Sequence, residues 1–235
     1  MTATLQVRGV AKRFGAVAAL VDASFDVRAG ELLGLIGPNG SGKTTLLECV
    51  AGIQAADAGT VSLGDAPLAS ARRKDALFYL PDSVQPWPDE RAGWVLEFAG
   101  QLFAATAGAR AELIASLQLA PLLGKRVGAL SKGERKRINI ALGLLTPQPI
   151  LLFDEPFDGL DLRQSRDVAA VLRAHAARGR GLCLSIHQLT DAVRICDRLV
   201  LLAGGVTVGE GTHAELQENS GVVNGGIEEI FLALT

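Results

Sequence analysis

The chain has 235 residues, 49% of them hydrophobic and 20% charged, an ordinary globular composition with enough apolar material for a sizeable core. Lysine and arginine total 23 against 25 acidic residues, a net charge of -2, which lacks the basic surplus of a nucleic-acid binder. The three cysteines, Cys49, Cys183 and Cys196, make neither a CxxC pair nor an even framework and fit reduced thiols in a cytosol.

The start, MTATLQVRGVAKRFG, has no apolar signal core, and no run of ~18 uninterrupted apolar residues exists, so no membrane span is expected. ATLQVRGV and ASFDVRAG alternate in polarity and end in turn residues, which predicts two strands. ELLGLIG is continuously apolar, as suits a strand buried on both faces, and it runs through PNGSGKTT into a helix candidate, LLECVAGI. GTVSLGD and ALFYLPD are further strands. From about Pro88 to Thr146 the pattern is helical, in ERAGWVLEFAGQLFAATAG, ARAELIASLQLAPLL and SKGERKRINIALGLL, with Pro147 and Pro149 ending the last. Then ILLFDEP, GLCLSIH and RLVLLAGG read as strands, and LRQSRDVAAVLRAHAARG and LTDAVRICD as helices. The tail, about Glu215 to Thr235, is a helix candidate, a glycine-rich break at SGVVNGG, and IEEIFLALT. Strand–helix alternation on both sides of a helical block predicts a parallel α/β core with a helical insertion.

Gly37-Pro38-Asn39-Gly40-Ser41-Gly42-Lys43-Thr44 matches G-x-x-x-x-G-K-[ST] between a buried strand and a helix. Glycines let the backbone curl its N–H groups toward phosphates. Lys43 supplies a cation to the β- and γ-phosphates, Thr44 offers a hydroxyl to Mg²⁺, and the helix dipole favours the same anion. This predicts Mg-nucleotide binding. A second site follows Ile150-Leu151-Leu152-Phe153: Asp154 is placed to hold Mg²⁺, and Glu155 to orient or deprotonate a water.

Other residues read two ways. His187 could be a satisfied edge residue or a contact to the γ-phosphate or its attacking water. Asp161 could cap the next helix, and Phe14 could be plain core or stack on a base. Ser131 followed by Glu134 fits a capping box, yet a glycine-flanked helix start is also an anion site. Trp87, in the proline-rich SVQPWPDE, could stiffen a loop against the helical block or meet a membrane partner.

Together these motifs resemble the ATP-binding subunits of ABC transporters, over nearly the whole chain and in the family's order. Phe14 matches the adenine-stacking aromatic, and Gly37 to Thr44, with Thr45, match Walker A. LSKGE, Leu130 to Glu134, falls at the signature, usually LSGGQ; Ile150 to Glu155 match Walker B and its catalytic glutamate. GLD, Gly159 to Asp161, matches the D-loop, and His187 the switch histidine. Two positions depart from the pattern. Lys132 and Glu134 replace glycine and glutamine in the signature, and Asp82 stands where a glutamine would touch Mg²⁺ and sense the membrane subunit, with Gln85 three residues on.

The resemblance implies a P-loop NTPase core with a parallel sheet, an N-terminal antiparallel β subdomain and an inserted helical subdomain. One domain spans 1–235: about 1–81 and 148–214 catalytic core with the β subdomain, about 82–147 helical, and about 215–235 a short tail. It implies two copies, identical or not, packed head-to-tail around two ATP molecules. Lys43 and the loop amides hold phosphates, Thr44 and Asp154 (with Asp82 as an oxygen donor) serve Mg²⁺, and Glu155 is the base. His187 holds the γ-phosphate, while Ser131 and Gly133 complete the partner's site. The expected partners are integral membrane permease subunits, at the cytoplasmic face of the membrane. IEEIFLALT resembles the tails of ABC-2 type drug and polysaccharide exporters, which favours export. The competing expectation is a soluble ABC ATPase of translation, repair or cluster assembly.

Overall fold

The computed structural model describes residues 4–222 and 225–235. The chain opens with two long strands, β1 (Leu5–Phe14) and β2 (Val17–Val27), then β3 (Leu32–Ile36) and α1 (Lys43–Ala51). Next come β4 (Ala58–Leu63), the two-residue β5 (Ala66–Pro67), the single turn α2 (Arg73–Ala76) and β6 (Leu77–Leu80). The helical stretch holds α3 (Ala92–Leu102), α4 (Ala107–Ser116) and α5 (Lys132–Leu145). Then follow β7 (Ile150–Phe153), α6 (Leu162–Ala177), β8 (Gly181–Ile186), α7 (Leu189–Ile195), β9 (Arg198–Ala203), β10 (Val206–Gly211), α8 (His213–Ser220) and α9 (Ile227–Leu234).

Among the described residues the strands form one ten-stranded sheet in the order β5-β4-β1-β2-β10-β9-β3-β8-β7-β6. One half, β9-β3-β8-β7-β6, is parallel throughout, and the other, β5-β4-β1-β2, is antiparallel. The central strands are buried on both faces, as their unbroken apolar runs require. On β3, Leu33 and Leu35 join a core with Leu46, Leu47 and Val50 of α1. Leu32 and Ile36, on the opposite face, join Val168 and Leu172 of α6. That second core runs on into α3 and α5 through Leu80, Leu96, Ile138 and Ile140.

Several elements depart from the sequence expectation. The first strand runs to Phe14 rather than Val10, because irregularities in its pairing with β2 let the ladder continue past Gly9. β10 was not expected: VTVGEG has few apolar residues, and it forms because β9 supplies an antiparallel partner. The helix expected through Gly108 stops at Leu102, and Ala104 just beyond takes a left-handed backbone (φ 52°). The glycine-rich break at SGVVNGG lies partly outside the described residues, as does Ala3 of the first expected strand. Among the described residues no helix is long and apolar enough to cross a membrane.

A buried charge cluster joins the two halves of the sheet. Arg198 at the start of β9 donates to both oxygens of Glu31, at 3.1 and 3.2 Å, and pairs with Glu210 of β10. Glu210 in turn accepts from the amide of Asp26 in β2 at 3.2 Å. Replacing Arg198 with methionine leaves two largely buried carboxylates uncompensated, and the expected loss is about 3–5 kcal/mol of unfolding free energy, read by denaturant titration. An unchanged midpoint would show that the cluster is not what joins these strands.

Candidate functional site: the carboxyl edge of the parallel strands

Parallel pairing aligns Ile36 with Ile186, Leu184 with Phe153, and Phe153 with Leu80. All four chains therefore leave the sheet at one edge, where open α/β sheets present ligand sites. β3 delivers Gly37–Thr44 there, β7 delivers Asp154 and Glu155, β8 delivers His187, and β6 delivers Asp82.

The loop after β3 is shaped by close approaches. A Cβ on Gly37 would lie 2.2 Å from the Leu202 carbonyl oxygen, and one on Gly42 would lie 2.6 Å from that of Ala19. Gly42 also has φ 104° and Gly40 φ 81°, both left-handed. Lys43 is buried and donates to the carbonyls of Gly37 (2.7 Å) and Pro38 (3.2 Å). Burial pulls its ammonium below the usual lysine range, and the charges of Glu155 and Asp154 work in the opposite direction.

The loop fits a polyphosphate. The N-cap of α1 is Gly42, which provides no side-chain cap, so the first-turn amides have no side-chain acceptor there. The Ser41 hydroxyl is buried and, among the described residues, has no hydrogen-bond partner. Asn39 and Gly40 are exposed at the loop's crest; Thr45 is half-buried in the first turn of α1.

Asp154 is buried at the end of β7 and is held by three hydroxyls. Thr44 donates to Oδ2 at 2.8 Å, Ser185 of β8 donates to Oδ1, and Tyr79 of β6 approaches Oδ2 at 3.5 Å. Burial raises the Tyr79 phenol well above its usual range, as do the charges of Asp154 and Glu48, so it stays a neutral donor. Ser185 also accepts from the Glu155 amide at 2.8 Å. Glu155 takes a left-handed backbone (φ 47°), unusual for a non-glycine residue, and its Oε2 lies 3.8 Å from Nδ1 of the exposed His187. A cleft of about 1170 Å³ opens beside this pair, lined from the loop after β7 and from α6 and α7 rather than from the phosphate loop.

Of the remaining expected residues, Asp82 brings a carboxylate oxygen within 4.8 Å of Glu155, and the others lie apart from this centre or serve local structure. Phe14 is half-exposed at the tip of the β1–β2 hairpin, opposite Val17, with Lys12 Nζ 5.4 Å from its ring centroid. Asp161 caps α6, accepting from the Gln164 amide at 2.8 Å. Ser131 caps α5 in a full capping box: its hydroxyl accepts from the Glu134 amide at 3.3 Å, and its amide donates to Glu134 Oε2 at 2.9 Å. Gly133 is buried, and a Cβ there would meet the Gly159 carbonyl at 2.6 Å. Asp82 binds Lys136 at 2.5 Å through one oxygen and accepts from the Ser83 hydroxyl at 3.0 Å through the other.

A model of the ABC transporter family matches residues 20–158. The chain belongs to the ABC transporter family. It is 35% identical over 226 residues to the Nod factor export ATP-binding protein I of Burkholderia lata, covering 93% of this chain and 74% of that one. It is 32% identical to the doxorubicin resistance ATP-binding protein DrrA of Mycobacterium tuberculosis, covering 92% of this chain and 67% of that one. A solved ATP binding subunit of an ABC transporter is 26% identical and superposes with a TM-score of 0.88 over 98% of each chain. The fold is the mixed α/β fold of ABC ATPases, and the chain is an ATP-binding, ATP-hydrolysing subunit of a transporter.

Two residues of this ABC ATPase site carry no motif signal. Ser185 lies inside the apolar run of β8 and Tyr79 inside that of β6, so only strand pairing brings their hydroxyls to Asp154. Ser185 holds the aspartate side chain and the glutamate backbone at once. Removing a hydrogen bond to a buried charge costs about 1.5–3 kcal/mol, so Ser185→Ala is expected to lower kcat for ATP hydrolysis about 10- to 100-fold. Steady-state phosphate release measures the loss; a variant turning over at the parent rate would remove Ser185 from the site.

Proposed function

We propose that this chain is the motor subunit of an exporter, working as a head-to-tail dimer that closes on two ATP molecules. The chain of contacts Thr44–Asp154–Ser185–Glu155 beside the uncapped start of α1 carries this reading. Its parts do what a phosphoryl transfer asks of a protein, which is positioning and charge compensation with little covalent work.

In this reading Lys43, the loop amides and the Ser41 hydroxyl hold the β- and γ-phosphates, and Phe14 stacks on the adenine. Thr44 and Asp154 supply oxygen donors to Mg²⁺, which offsets the negative charge of the phosphates when bound. Glu155 accepts a proton from the attacking water, and its left-handed backbone, fixed through Ser185, aims the carboxylate. His187, beside Glu155, contacts the γ-phosphate. Ser131 and Gly133, at the start of α5, serve nucleotide held by the second copy. Both oxygens of Asp82 have protein partners, which supports a positioning part for it rather than the magnesium contact expected from the sequence.

The relatives named for Nod factor export and doxorubicin resistance support export through membrane permease subunits, with this chain on the cytoplasmic face as a single ATPase domain. They weigh against a soluble factor of translation, repair or cluster assembly. Glu155→Gln is expected to bind ATP as tightly as the parent, to hydrolyse it at least ~100-fold more slowly, and to accumulate as an ATP-bound dimer in light scattering. Parent-like turnover would overturn the assignment of the base. Affinity purification from native membranes is expected to recover an integral membrane protein; recovery of ribosomes or DNA in its place would favour the soluble reading.

A further inference from the structure

The face of α5 that meets the catalytic edge carries Lys132, Lys136 and Asn139, spaced so that all three point the same way. Each reaches a different loop residue. Lys132 pairs with Asp158 in the loop after β7. Lys136 binds the Asp82 carboxylate at 2.5 Å and its carbonyl at 3.3 Å. Asn139 donates to the Val84 carbonyl at 2.8 Å. Lys136 and Asn139 are almost wholly buried, 4% and 2% exposed.

The lysines meet a local surplus of negative charge. Asp82, Glu155 and Asp158 bring carboxylate oxygens within 4.8 Å of one another. Two of the three have a lysine nitrogen against them, so the protein itself compensates the cluster. Backbone contact reinforces the seat: a Cβ on Gly159 would lie 2.8 Å from Lys132 Cδ, and one on Gly133 would lie 2.6 Å from the Gly159 carbonyl. The start of α5 is thus bound to the same loop that carries Glu155.

We propose that the ion pair of buried Lys136 with half-buried Asp82 is a positioning device that sets the orientation of α5 on the catalytic edge, and so aims Ser131 and Gly133 at the nucleotide of the second copy. The proposal rests on the head-to-tail reading above. It gives the aspartate at position 82 a purpose a glutamine could not serve in the same way: a neutral amide does not compensate a buried ammonium. Removing Asp82 strands the buried Lys136 ammonium and removing Lys136 leaves a half-buried carboxylate short of its cation, whereas replacing both with amides keeps a hydrogen bond between the two elements without charge.

The test is a double-mutant cycle of Lys136→Gln and Asp82→Gln, built in the Glu155→Gln background. It has three readouts: ATP-driven dimerisation by light scattering, ATP binding to dilute monomer, and hydrogen exchange of the α5 amides in the monomer. Each single change is expected to weaken dimerisation by about tenfold and to speed exchange around residues 132–137, with monomer ATP affinity within about twofold; the double change recovers most of both losses. A Lys136→Gln protein whose α5 exchange and dimerisation match the parent background would overturn the proposal, as would singles whose losses simply add in the double. If the Glu155→Gln background itself stays monomeric with ATP, the head-to-tail reading falls; hydrogen exchange then still reports whether the pair orients α5, and parent-like exchange in the singles overturns that as well.

Discussion

The site depends on one buried carboxylate. Asp154 is 4% exposed, and an ionised group so placed is costly unless hydrogen bonds replace its water. Three hydroxyls do so, from α1, β6 and β8, and each belongs to an element whose neighbour bears another part of the site. Thr44 follows Lys43, Ser185 lies two residues before His187, and Tyr79 lies three before Asp82. The carboxylate therefore serves as a common anchor for four separate segments. Its second contact through Ser185 reaches the Glu155 backbone and supports a left-handed conformation there that a non-glycine residue adopts only under surrounding constraint.

The anchor works because the sheet is parallel where it matters. Strands that all point the same way deliver their following loops to one edge, and crossovers through α1, α6 and the helical stretch cover both faces. The antiparallel half of the sheet contributes differently. β2 supplies the Ala19 carbonyl against which Gly42 packs, and the β1–β2 hairpin presents Phe14. Arg198, Glu31 and Glu210, at the opposite end of these strands, tie the two halves together, with Glu210 accepting from the Asp26 amide of β2.

Much of this is legible in the chain itself. A phosphate loop is contiguous, and its glycines, lysine and threonine declare their chemistry through local spacing; so do a buried apolar run and the acids that end it. Nonlocal features were not legible. Ser185 and Tyr79 sit in apolar strands where a hydroxyl carries no pattern, and their use appears only once register sets β6, β7 and β8 side by side. β10 was missed for a related reason, since its strand state comes from pairing rather than from its own residues. Asp82 stands at a position defined by the glutamine it replaces, and its partner Lys136 lies 54 positions away, so no local pattern joins the two.

The start of α5 shows how one set of atoms can satisfy two demands in turn. In the single chain, the Ser131 hydroxyl and amide are both engaged by Glu134, so the helix end is capped internally. Lys125, 2.7 Å from Glu134, and the Ser131 amide together hold that carboxyl below its ordinary range, so it stays ionised and stays in the box. A phosphate approaching the same amides meets a carboxylate already using one of them. In the proposed head-to-tail dimer, engagement by the second copy's nucleotide would require an exchange of partners: phosphate oxygen for Glu134 at the Ser131 amide, and Glu134 left to Lys125. Because capping and the proposed phosphate contact draw on the same donors, the single chain keeps a folded helix end without a ligand, and closure of the proposed dimer would replace that internal anion with an external one.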